Sequence, residues 1–169
     1  MERKLILFEN KEYINIICIF AYNYHLTYQS REVFCAKTVM NEDKNKILCD
    51  EWFLQSDYDL ETAKAMFKTR RYIYTVFMCH LSIEKILKGL VVKNLNEFPT
   101  KVHNLQYFIK KLSLNLTDGD NEFVFILNDA SIPTRYPDDL RKLVNVYTKE
   151  KAGDILDKTN KLNEWLKKQ

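Results

Sequence analysis

The sequence predicts an all-α fold, a helical bundle with short connections, and two observations lead to this class. The 169 residues include only 3 glycines and 3 prolines, the residues that most often interrupt helices and form the turns between strands. From position 50 onward, apolar residues also recur at the spacing of amphipathic helices. Hydrophobic residues make up 46% and charged residues 29%, which is the composition of a globular chain with one core.

Two long helices are predicted at residues 51–69 and 72–94. Asp50 is the expected N-cap of the first, because aspartate accepts hydrogen bonds from the free backbone N–H groups at a helix start. The second helix is apolar nearly all round, a pattern typical of the central helix of a bundle. The predicted buried stripe of the first helix is Trp52, Ser56, Leu60, Ala63 and Phe67.

Three further helices are predicted at residues 102–112, 121–130 and 148–167. The Asp-Gly-Asp sequence at 118–120 predicts a turn. The segment 131–139 contains Pro133 and Pro137. Because a proline biases the preceding residue towards extended geometry, this segment is predicted not to be regular helix.

The N-terminal part of the chain is predicted to differ from the rest. Residues 1–46 are expected to be an extension of uncertain structure, and residues 47–169 a helical domain. The stretch at 13–20 fits a strand or part of a helix equally well. One hypothesis is that Met40 is the true start and that residues 1–39 are translated upstream sequence.

Several classes of function are disfavoured by what the sequence lacks. Neither G-x-G-x-x-G nor G-x-x-x-x-G-K-[ST] occurs, which excludes Rossmann and P-loop nucleotide sites. A formal net charge of +3 permits contact with phosphate but is not the strongly basic signature of a DNA-binding domain. The longest apolar run, residues 13–22, is too short to span a membrane. The 4 cysteines show no zinc-site spacing, so we expect reduced thiols in a cytoplasmic protein, without metal or cofactor.

Two polar residues interrupt an apolar face of the second helix. His80 and Glu84 are four positions apart and therefore share a face, whereas Ser82 faces away from both. One interpretation is a satisfied buried pair that orients the bundle; the other is the polar floor of a groove, with Glu84 holding an arginine from elsewhere.

Basic residues close by allow two interpretations each. Lys85 and Lys88 are either solvated charges or phosphate contacts. His103 is expected to cap or anchor the third helix. Arg135 lies in a stiff, proline-containing segment, and its planar guanidinium suits phosphate or carboxylate. It is predicted either to bind a ligand or to tie its loop to Glu84.

The order and spacing of these residues resemble the HEPN family, named for higher-eukaryote and prokaryote nucleotide-binding domains. The likeness covers residues 47–169 and is to the prokaryotic type that contains Arg-Tyr-Pro-Asp. The matching positions are Trp52, Asp59, Leu60 and Ala63; Arg71 and Tyr72; His80, Ser82, Glu84, Lys85, Leu87 and Lys88; His103 and Leu105; and Arg135, Tyr136, Pro137 and Asp138.

The resemblance implies an antiparallel up-and-down four-helix bundle with an extra short helix, usually dimeric. Many prokaryotic members are encoded beside a minimal nucleotidyltransferase, as a two-component or toxin–antitoxin module, and the family raises modification of Tyr136 or another tyrosine by that partner. The implied ligand-binding candidates are Arg135, Tyr136, Asp138, Glu84, Lys85, Lys88, His80 and His103.

One branch of the family consists of metal-independent ribonucleases with the signature Arg, four to six residues, His. Here the positions at which that histidine would fall are Leu140, Arg141 and Lys142. Because the usual acid–base group is missing, an enzymatic role is disfavoured.

Three functions are therefore weighed. The first is a non-catalytic nucleotide- or RNA-binding protein that forms a homodimer and partners a nucleotidyltransferase. The second is a divergent ribonuclease toxin whose site would use Arg135, Tyr136 and His80 or His103 brought together in space. The third is a purely structural partner subunit, in which Arg135 and Glu84 form a buried tie.

Overall fold

The computed structural model describes residues 42–135 and 138–169, which form six α-helices and no β-strand. The predicted all-α class is confirmed. The helices are α1 (Glu42–Lys68), α2 (Tyr72–Leu95), α3 (Leu105–Lys111), α4 (Asp118–Arg135), α5 (Leu140–Val146) and α6 (Lys149–Leu166). The predictions for residues 1–39, Tyr136 and Pro137 lie outside the described residues.

The predicted second helix is the centre of the bundle. α2 packs against α1, α3, α4 and α6, and 15 of its 24 residues are buried. A three-residue connection joins α1 to α2, and Arg70 within it has a positive φ of 62°. So short a connection makes the two helices antiparallel neighbours. The long helices α1, α2, α4 and α6 form the bundle, with α3 and α5 as short additions.

The first helix begins earlier than predicted. α1 starts at Glu42, so Asp50 lies inside it and is not its N-cap. The reason is that Cys49 is buried and continues the buried stripe one turn towards the N-terminus. The predicted stripe itself is confirmed at Ser56, Leu60 and Ala63, which are buried.

A buried polar cluster fixes the rotation of α2 about its axis. The Ser56 hydroxyl donates to the Ser82 carbonyl oxygen at 2.8 Å, and the Asn163 amide donates to both serine hydroxyls at 2.8 and 3.0 Å. The cluster joins α1, α2 and α6, and each of its side chains finds a partner, as buried polar groups require. Because Ser82 faces this cluster, His80 and Glu84 face another side of α2, as predicted.

The start of α4 differs from the prediction of a turn at 118–120. Thr117 caps the helix instead: its hydroxyl accepts from the Asp120 backbone N–H at 3.2 Å and donates to the Asp120 carboxylate at 2.7 Å. The first bond satisfies one of the backbone donors that a helix start leaves free, and the second holds the Thr117 hydroxyl in place. Helix α4 therefore begins at Asp118.

The end of α4 also differs from the prediction, because the helix continues through Pro133 to Arg135. Proline removes one backbone hydrogen bond, but the Thr134 hydroxyl donates to the Ala130 carbonyl oxygen at 2.6 Å. Ala130, Ser131 and Thr134 are buried, so packing holds the last turn. As a result Arg135 lies at the end of a helix rather than in a loop.

Helix α5 was not predicted. It has seven residues and none of them is fully buried, although Leu143 packs against the core; Asp139 caps it by accepting from the Lys142 N–H at 3.1 Å. Helix α3 is shorter than predicted and is capped by Asn104 rather than His103. Within the described residues, every helix is too short or too polar to cross a lipid bilayer.

The two cysteines that the structure describes, Cys49 and Cys79, are free and buried. Burial raises the pKa of Cys79 to about 12, against a minor opposing contact from Thr159. A thiol with so high a pKa has almost no reactive thiolate, which agrees with the predicted structural role.

Candidate functional site

Three predicted site residues and one phenylalanine follow one another along a single face of α2. Phe77, His80, Glu84 and Lys88 recur every three or four positions, the spacing that aligns side chains on a helix. His80 is 0% exposed, Glu84 2% and Lys88 7%. The face is therefore a buried polar track, and the solvated interpretation of Lys88 is wrong.

The Glu84 carboxylate is the hub of this track. Lys88 Nζ donates to its Oε1 at 2.7 Å, and His103 Nδ1 lies 3.0 Å from both of its oxygens. Burial acts to raise the pKa of Glu84, but the contacts with Lys88 and His103 outweigh it, so the pKa lies below its ordinary value. The expected arginine partner is replaced by a lysine and a histidine.

His103 contacts Glu84 from the connection before α3. An ionised carboxylate only accepts hydrogen bonds, so the ring must donate from Nδ1. The side chain of His103 remains 58% exposed. It anchors the connection between α2 and α3, as predicted, and presents the rest of its ring to solvent.

Neither ring nitrogen of His80 makes a hydrogen bond of ordinary geometry with the described residues, although the backbone of His103 interacts with the ring. Its Nδ1 lies 3.9 Å from Glu84 Oε2, too far for a hydrogen bond, so the predicted satisfied pair does not form. Burial lowers the pKa of His80 to about 4; Glu84 and the His103 backbone oppose this shift, while Arg135 and the His103 side chain add to it. The ring is therefore neutral at pH 7.

Arg135 lies over the Phe77 ring, with its guanidinium carbon 5.2 Å from the ring centroid. Its Nε and Nη2 atoms are buried and have no hydrogen-bond partner in the described part of the chain. No hydrogen bond or ion pair joins it to Glu84, whose oxygens are taken by Lys88 and His103. The predicted tie between Arg135 and Glu84 is therefore wrong.

Residues of α1 form the opposite side of the track. Lys85 Nζ donates to Gln55 Oε1 at 2.8 Å and lies 5.4 Å from the centroid of the Trp52 ring. Lys88 Nζ lies 5.6 Å from the same centroid. Burial raises the pKa of Asp59, on the same side of α1, and Lys85 opposes the shift.

Three residues of the site, Trp52, Gln55 and Phe77, were not among the predicted site residues. A signal was present: Trp52, Gln55 and Asp59 recur at helical spacing on one side of α1. Of the remaining candidates, Asp138 is exposed and has no hydrogen bond to the other described candidates, and Tyr136 lies outside the described residues. No group of three histidine, cysteine, aspartate or glutamate side chains in residues 42–135 and 138–169 could hold a metal ion.

The fold and the track together define a small helical bundle whose central helix carries a buried carboxylate between basic groups. The sequence model of the HEPN domain matches residues 49–169, and the chain belongs to the HEPN family. No curated protein matches the sequence closely enough to count as a relative.

Two solved structures share the fold. The protein TT1696 from Thermus thermophilus is 22% identical with a TM-score of 0.63, over 71% of this chain and 96% of that one. ST0689, an archaeal HEPN homologue, is 21% identical with a TM-score of 0.56, over 72% of this chain and 96% of that one. Identities this low bear on the fold alone.

Proposed function

We propose that this chain is a nucleotide- or RNA-binding HEPN protein without a catalytic step of its own, and that Arg135 holds a phosphate group. The observation that carries the proposal is the pair of neighbouring groups without partners. In the described part of the chain, two guanidinium nitrogens of Arg135 and both ring nitrogens of His80 are buried without a hydrogen bond of ordinary geometry, the only polar approach to the ring being the His103 backbone and the more distant Glu84. Buried polar groups in native proteins normally have partners, so an external acceptor is the simplest complement.

The chemistry of the pair favours an anion. Arginine presents parallel N–H donors that match two oxygens of a phosphate. Glu84, the nearest carboxylate on the α2 face, already accepts from Lys88 and His103. A bound phosphate would supply acceptor oxygens for the Arg135 guanidinium, which the described residues do not provide.

Membership of the HEPN family supports further proposals about context. We propose that residues 47–169 form the functional unit, of the prokaryotic type that contains Arg-Tyr-Pro-Asp. The protein works as a homodimer in the cytoplasm, beside a minimal nucleotidyltransferase, in a toxin–antitoxin-like module. These partners follow from what the family resemblance implies.

Binding is favoured over RNA cleavage by the position of His80. The ribonuclease hypothesis needs a histidine beside Arg135 that exchanges protons with substrate. His80 is near Arg135 but is 0% exposed, and its lowered pKa makes it a poor proton donor at pH 7. A phosphate can contact Arg135 without proton transfer.

Replacing Arg135 with alanine is expected to weaken binding of AMP, ATP and a short oligoadenylate by about ten- to a hundredfold. This is the effect of losing charge-assisted hydrogen bonds, each worth about 1.5–3 kcal/mol. Isothermal titration calorimetry measures the change. Arg141→Ala is the matched control, because it removes the same charge from an exposed position on α5.

The control variant should bind within about twofold of the wild type. Equal affinities for the wild type and the Arg135→Ala variant would remove Arg135 from the site. Wild-type protein that binds none of the three probes would overturn the proposed function.

A further inference from the structure

The proposed function rests on one end of the α2 track, and the other end carries an aromatic group in an electropositive setting. The Trp52 ring has two ammonium groups near it, Lys85 Nζ at 5.4 Å and Lys88 Nζ at 5.6 Å from its centroid. Its indole nitrogen has no hydrogen-bond partner among the described residues. Aromatic rings beside basic side chains are the elements with which proteins bind single-stranded nucleic acid.

The two lysines are held differently. Lys88 is buried and its Nζ is fixed by Glu84 at 2.7 Å. Lys85 is half-buried, and its only hydrogen bond among the described residues is to the neutral amide oxygen of Gln55 at 2.8 Å. A phosphate is a stronger acceptor than an amide, so Lys85 can exchange this partner for an anion. Lys88 instead balances the charge of Glu84 within the track.

Trp52, on α1, and Arg135, at the end of α4, contact α2 about two turns apart. Arg135 packs on Phe77, and Lys85 follows Phe77 by eight residues along the helix. At about 1.5 Å per residue, the two anchors are about 12 Å apart along the α2 axis. A stacked strand advances about 3.4 Å per nucleotide, so this span corresponds to about three to four nucleotides.

We propose that Trp52 stacks a nucleobase and that Lys85 contacts its phosphate, while Arg135 holds a second phosphate of the same single strand. The ligand of the site is thus an oligonucleotide rather than a mononucleotide. AMP carries one phosphate, and the phosphates of ATP are contiguous, so neither supplies two anionic groups about 12 Å apart. The inference rests on the proposed function and specifies its ligand.

Two experiments test the inference. Fluorescence anisotropy compares a labelled oligoadenylate of about seven nucleotides with AMP and ATP as competitors. Trp52→Leu is expected to weaken binding of the strand by about five- to a hundredfold, the effect of one lost base stack. Trp165→Leu, which removes the other of the 2 tryptophans, is the matched control and should not change binding.

The second experiment keeps Trp52 in place and so does not depend on how a Trp52 variant folds. In a Trp165→Phe background, Trp52 is the sole tryptophan, and the oligoadenylate should quench its fluorescence by stacking.

The outcomes distinguish failure of the stacking site at Trp52 from failure of the proposed function. The stacking site is overturned if the strand binds the Trp52→Leu variant like the wild type and does not quench Trp52 fluorescence. If the same strand loses affinity for the Arg135→Ala variant, the proposed function still stands. ATP that binds as tightly as the strand and depends equally on Trp52 overturns the choice of ligand. Wild-type protein that binds no probe overturns both.

Discussion

Replacing Glu84 with alanine is expected to lower the free energy of unfolding by about 3–5 kcal/mol, the loss typical when one partner of a buried ion pair is removed. The carboxylate is 2% exposed and accepts from both Lys88 and His103. Without it, the buried Lys88 ammonium has no anion beside it. Urea denaturation at pH 7 measures the change.

Glu61→Ala is the matched control for this prediction. Glu61 also pairs with a lysine on its own helix, Lys64 at 2.7 Å, but its side chain is 71% exposed. Exposed pairs contribute about 0–1 kcal/mol, so this variant should be nearly as stable as the wild type. Equal losses for the two glutamates would show that Glu84 is not the hub of the track.

A double replacement separates the buried charge from the packing. Changing Glu84 and Lys88 together to methionine removes both charges and keeps apolar volume, so the loss should be smaller than for Glu84→Ala alone. A double variant as unstable as the single one would contradict the view that the uncompensated Lys88 ammonium causes the loss.

The stability of the wild type is expected to fall by about 3 kcal/mol between pH 6.5 and pH 4 through His80. Burial lowers the pKa of His80 to about 4, whereas an unfolded histidine titrates near 6.5. Between these values the unfolded chain binds a proton that the folded protein does not. The contribution of neutral His80 to stability is therefore fully present above about pH 6.5 and is lost as the pH falls towards 4.

Urea denaturation across this range tests the prediction against His80→Leu. The variant has no titrating group at this position and should lose about 3 kcal/mol less than the wild type over the same interval. At pH 7 it should be at least as stable, because two polar atoms without partners have been removed. Parallel pH profiles for the two proteins would contradict the burial of a neutral His80.

The long helices could be predicted from the sequence because each buries a regular stripe. The stripe Ser56, Leu60 and Ala63 identified α1, and the apolar surface of α2 identified the central helix. Helix α5 has only seven residues and buries none of them fully, so its apolar residues form too short a stripe to be recognised. The last turn of α4 was missed because Pro133 opposes it locally, while tertiary burial of Ser131 and Thr134 supports it.

The site could be predicted only where its residues share one helix. His80, Glu84 and Lys88 are on one face by spacing alone. The contact of His103 with Glu84 spans 19 positions and depends on how the chain reverses after α2. The spacing of residues does not show which helices cover this face of α2. The burial of Lys88 therefore could not be predicted from the sequence.

The central claim is that an anion binds between Arg135 and His80, and the ionisation of the His80 ring tests it most directly. Nuclear magnetic resonance of protein labelled in its 3 histidines follows the ring with and without saturating AMP or oligoadenylate, whichever binds more tightly. His80→Leu assigns the signal. A phosphate beside the ring favours its charged form, so the account predicts that the pKa of His80 rises from about 4 on binding. A ligand that binds while the His80 titration stays unchanged would place the anion elsewhere and contradict the account.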